Sequence, residues 1–186
     1  MTLAFDEVKA TQTAALFLRL AGARLNYTAL IKLLYKADRE ALRKWGLPIT
    51  TDRYVNMKMG PVTSRIYDRI KSGVDVNAHP SFWSTHIQRA ADDPYSLVLS
   101  SDPGDSELSR AEESLIEQIF AEHGHKDYAT LVGESHKEYP EWNDPGESSS
   151  TLDLADIISA LGFSEEEAAS TESLIEAQRA ASDLAA

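Results

Sequence analysis

Residues 33–70, LLYKADREALRKWGLPITTDRYVNMKMGPVTSRIYDRI, constrain the fold more than any other part of the chain. On a 3.6-residue period Tyr27, Leu30, Ile31, Leu34, Tyr35, Ala41, Leu42 and Trp45 form one face of a helix, and Asp38 falls near its centre. Asn26 is a good N-cap for this helix, Gly46 ends it, and Pro48 forbids its continuation. An ionised carboxylate in an apolar stripe is costly unless it is paired, so Asp38 must hold a partner. Arg53, Lys58, a tyrosine hydroxyl or the free amides near Val62 could supply it. The reading preferred over a catalytic acid is a structural tie between the two halves of the stretch. Asp38→Ala should then cost about 3 to 5 kcal/mol of stability.

The remaining elements follow from caps and turns. Residues 6–20 read as a first helix and 53–59 as a short strand; Gly60 then turns the chain, with Pro61 at the first position of a third helix reaching Ile70. Residues 82–87 and 95–100 are apolar and β-prone, with a hairpin turn at 90–94 between them. Ser109 with Glu112 makes a capping box for a helix to His123, and Asp127 caps another toward His136. Residues 146–151 read as a polar connector and 152–161 as a short helix; Ser164 with Glu167 forms a second capping box opening a helix over 165–184. The expected class is α+β and predominantly helical, with a small antiparallel sheet of about three short strands.

The chain has 186 residues and no cysteine, which removes disulfides, thiolate metal sites and a thiol nucleophile. Its start lacks the cationic flank of a signal peptide, and no apolar run approaches the roughly 20 residues that span a membrane, so a cytoplasmic protein is expected. The net charge of −12 is split unevenly: residues 1–73 hold 13 Lys/Arg against 6 Asp/Glu, and residues 74–186 hold 5 against 24. Either the two halves attract each other within the fold, or one half meets a charged partner.

As it stands, the 32–62 stretch resembles the signature of the SocA-like antitoxin family, also called the Panacea domain. The resemblance rests on Lys32, Leu33, Leu34, Tyr35, Asp38 and Arg39 in the helix, on Gly46, Pro48, Ile49 and Thr50 after it, and then on Asp52, Tyr54, Val55, Gly60, Pro61 and Val62. A looser match adds Ser135, His136, Pro140 and Trp142, with Glu141 between the last two as a departure. The resemblance covers a domain over 1–145; residues 146–186 lie outside it and read, from their composition and caps, as an acidic helical extension that could dock on the same domain through Leu174 and Ile175 or be partly disordered. The resemblance implies a protein that acts by binding, with no cofactor and no enzymatic activity: an antitoxin that neutralises a cognate toxin by direct contact. The alternatives are an adaptor delivering the toxin to a Clp-type protease, or an interaction protein of a phage or mobile element with no toxin.

The signature positions themselves read as mainly structural. Ser135 beside His136 could suggest a nucleophile and its base, yet neighbours on a helix point about 100° apart and no Gly-x-Ser-x-Gly elbow exists. His123 and His125 have the wrong spacing for one helix face and no accompanying acidic ligand motif. Lys32, Lys36, Arg39 and Arg43 form a stripe that could hold an acidic partner surface, unless it is solvated or internally paired; the acidity of the chain argues against nucleic acid. Leu184, Ala185 and Ala186 resemble an ending read by Clp-type proteases, a candidate degradation signal.

Overall fold

The computed structural model describes residues 3–72 and 80–185. Asp6 caps α1 (Glu7–Leu20) by accepting from Lys9 N at 2.9 Å. The short β1 (Arg24–Asn26) leads straight into α2 (Tyr27–Trp45), where the Asn26 side chain accepts from Thr28 N and Ala29 N. Gly46 ends α2 in the left-handed region at φ 75°, a conformation that costs glycine nothing, and its N–H reaches Leu42 O. The hairpin β2 (Tyr54–Met57) and β3 (Gly60–Thr63) then feeds α3 (Ser64–Ser72).

After α3 come α4 (Phe82–His86), β4 (Ile87–Arg89) and β5 (Ser96–Leu99), followed by α5 (Arg110–His123) and α6 (Tyr128–Glu138). The C-terminal part holds β6 (Ser150–Leu152), α7 (Leu154–Ala160) and α8 (Glu165–Ala185). Both expected capping boxes form, Ser109 with Glu112 and Ser164 with Glu167. The class is α+β and predominantly helical, but the strands make two antiparallel three-stranded sheets, in the orders β1-β5-β4 and β3-β2-β6.

Three local expectations are corrected. Pro61 lies in an edge strand rather than at the start of a helix: it pairs opposite Asn56, where its missing N–H is not needed, and α3 starts at Ser64. The helix start is set from a distance by Asp52, whose carboxylate accepts from Arg65 N and Ile66 N at 3.0 Å each. Residues 82–86 are helical because Ser81 caps them at Ser84 N, leaving only 87–89 as strand. The end of the expected polar connector, with Leu152 from the expected short helix, forms β6, which adds to the outer side of β2 through Tyr54–Leu152, Val55–Thr151 and Asn56–Ser150, and the helix starts at Leu154.

α2 runs through the centre and is buried on more than its expected face. One side packs Leu30, Ile31, Leu33, Leu34, Ala37 and Ala41 into the larger core. The other side sends Tyr35 and Leu42 into a second core with Tyr54, Tyr139, Leu152, Leu154, Ile157, Ile158 and Ile175. Trp45, expected on the core face, is 40% exposed in the last turn of α2. The charge asymmetry is partly spent within the fold, since Lys9 meets Glu112, Arg19 meets Asp102, Arg24 meets Asp92 and Lys58 meets Glu147. Among the described residues no helix is long and apolar enough to cross a membrane.

Candidate functional site

Asp38 is 1% exposed and sits where α2 faces the chain returning after Pro48. Its Oδ1 accepts from Thr50 N at 2.8 Å, and its Oδ2 accepts from the Thr50 hydroxyl and from Tyr54 OH at 2.9 Å. Of the partners considered from sequence, a tyrosine hydroxyl is the one that takes part. Burial pushes the Asp38 carboxyl from the ordinary 3.8 up to about 6, because desolvation outweighs the three donors that favour the charged form. Asp52 lies in the same turn and is also raised by burial, against the amides of Ile66, Arg65 and Arg53. Pro48 and Ile49 are buried beside them.

Lys32 is separated from the rest of the basic stripe. It is 3% exposed and donates through Nζ to Pro61 O at 2.8 Å, so it clamps β3 onto α2. Burial lowers its ammonium to about 7. Gly60, at φ 94°, lets this clamp close: a Cβ there would lie 2.8 Å from Lys32 Nζ and closer still to Ser135 Oγ. Ser135 donates to Val132 O, and the His136 ring is exposed and stacks on Trp142 with centroids 3.9 Å apart. The adjacent serine and histidine are thus turned to different tasks. Trp142 completes the arrangement by donating Nε1–H to Met57 O at 3.0 Å.

Glu141 carries more of the site than its position as a departure from the signature suggested. Its side chain is fully buried and accepts from Tyr35 OH at 2.8 Å and from Arg39 Nε at 2.7 Å, and the Arg39 guanidinium also lies 5.0 Å over the Tyr139 ring. Burial, and after it the neighbouring Glu141, raises the Tyr35 phenol well above its ordinary value. A lone acid in a Pro-x-Trp turn gives no local sign of these partners, which lie 106 and 102 residues away.

Lys36 pairs with Glu138 at 3.1 Å, and Arg43 pairs with Glu40 on its own helix. Lys36 and Arg39 line a groove of about 260 Å³ with Glu40, Ile119, His123 and Tyr139, whereas Arg43 lies outside it. Leu33, Leu34 and Val62 are core residues. Leu184 is 90% exposed at the end of α8, and Ala186 of the candidate degradation signal lies outside the described residues. No group of three or more His, Asp or Glu among the described residues could hold a metal ion.

Lys32, Asp38, Arg39 and Glu141 are thus tied to partners within the fold. A family model described as antitoxin SocA-like, Panacea domain, matches residues 30–143, from within α2 to just past Trp142. No curated protein and no solved structure matches the chain.

Proposed function

The chain belongs to the SocA-like antitoxin family, Panacea domain, and from that premise we propose that it is the antitoxin of a two-gene module, acting in the cytoplasm by direct binding of its cognate toxin. The family match carries this reading. The site supports it, because Lys32, Asp38, Arg39 and Tyr54 hold β3, the 50–54 segment and the 139–142 turn against α2, while Asp52 holds the start of α3. Groups committed to internal hydrogen bonds suit a rigid platform that recognises through its surface.

The experiment is co-expression with the neighbouring reading frame, measuring growth with that frame alone and with this chain added, then isolating the complex. Growth arrest by the neighbour, rescue by this chain and co-purification are expected. No rescue would sink the reading. Repeating the rescue in a host lacking Clp proteases separates direct masking, which persists there, from an adaptor role, which does not.

A further inference from the structure

The outer edge of β6 is open. In the β2–β3 hairpin Pro61 stands opposite Asn56, and a residue without an N–H occupies a position outside the ladder bonds. Alternation then turns Val55 toward β3 and Tyr54 and Asn56 toward β6. The bond from Ser64 N to Arg53 O at 2.7 Å, on the β3 side, agrees with that phase. On β6, therefore, Ser150 and Leu152 bond to β2, and Thr151 between them turns its N–H and C=O outward. Thr151 is exposed, and among the described residues no hydrogen bond outside the ladder uses either group.

Beside this edge lies a cavity of about 530 Å³ lined by Asn56, Glu141, Asn143, Ser150, Asp156 and Ser159. Asn56, which lines this cavity, is 3% exposed, and its Oδ1 is a buried acceptor without a hydrogen-bond partner. The surrounding chain is strongly one-signed. From Glu138 to Gln178 there are 11 Asp/Glu and no Lys, Arg or His. Lys36, Arg39 and Lys58 reach Glu138, Glu141 and Glu147 from outside this segment.

We propose that the toxin docks an extended segment bearing lysine or arginine along β6, exchanging main-chain bonds with Thr151 and placing the cationic side chain in the cavity beside Asn56 and Asp156. An added strand draws affinity from main-chain bonds and specificity from side-chain pockets, and this edge supplies both. Charge complementarity selects the occupant: a second copy of this chain would bring an equally acidic segment against the first. The inference rests on the antitoxin reading and deepens it by naming the surface and the partner's chemistry.

The test uses the full chain and the neighbouring gene product with which it co-purifies. Thr151→Pro deletes an N–H that no internal bond uses, at an edge position where proline is tolerated. Ser159→Arg places a guanidinium in the cavity from an exposed position on α7. Each should weaken the complex by about tenfold or more in calorimetry, with wild-type melting, and binding should slow hydrogen exchange at the Thr151 amide. Should Thr151→Pro melt early, Ser159→Arg and the exchange measurement decide. Wild-type affinity in Ser159→Arg with no protection at Thr151 overturns the inference and leaves the antitoxin reading standing. A β6-mediated dimer of this chain alone overturns it as well. If the wild type captures no neighbouring product, the antitoxin reading fails and this inference falls with it.

Discussion

Replacing Asp38 by asparagine should change how stability depends on pH, in a direction opposite to that of most paired carboxylates. Burial raises this acid from 3.8 to about 6 in the folded chain. Between those values the folded state keeps a proton that the unfolded state has released, so stability falls as pH rises through the window. Two units at about 1.4 kcal/mol each amount to about 3 kcal/mol, lost between pH 4 and pH 7 and flat above that. Asp38→Asn has no such proton. Urea unfolding of both chains from pH 4 to 8 should show the wild type losing about 3 kcal/mol relative to the variant across the window. The difference between the two chains cancels most contributions of the other carboxylates. Asp38→Ala leaves Thr50 N, the Thr50 hydroxyl and Tyr54 OH without their acceptor, and its cost of about 3 to 5 kcal/mol at neutral pH should grow at acid pH. A pH-independent difference, or a wild type that gains on Asp38→Asn as pH rises, would refute the claim that desolvation dominates the donors here.

Other perturbations probe the neighbouring ties. Lys32 is lowered to about 7 by burial, so between pH 7 and its ordinary 10.5 the unfolded state holds the extra proton and stability rises with pH; relative to Lys32→Met the wild type should gain up to about 1.4 kcal/mol per unit from pH 7 to 9 in urea midpoints. Gly60→Ala should cost roughly 2 to 4 kcal/mol in thermal unfolding, since it adds backbone strain to a clash with Ser135 and Lys32, and Ser135→Ala in the same chain should restore only the clash component. Glu141→Gln should cost about 3 kcal/mol by leaving the partly buried Arg39 without its counter-charge, and much less when Arg39 is already methionine.

The caps, the two capping boxes and the Gly46 stop were legible because each is a contract between residues a few positions apart, satisfied by the backbone's own unpaired groups. The periodicity of α2 also placed Asp38 in the core, and a tyrosine hydroxyl was among its expected partners. Legibility failed where a local signal had two uses. Gly60-Pro61 reads equally as a helix start or an edge strand, and residues 82–87 suit a strand until Ser81 caps them as helix.

By itself, then, the sequence determined the central helix and its breaks, the buried acid and the family to which the chain belongs. Only tertiary structure decided that Lys32 is a buried clamp while Lys36, Arg39 and Arg43 are matched by acids, that Glu141 answers Tyr35 and Arg39, and that residues 150–152 become a strand. The reason is physical. A cap or a periodic face is governed by neighbours along the chain, whereas desolvation and strand pairing depend on groups that meet only after packing, here across about a hundred residues.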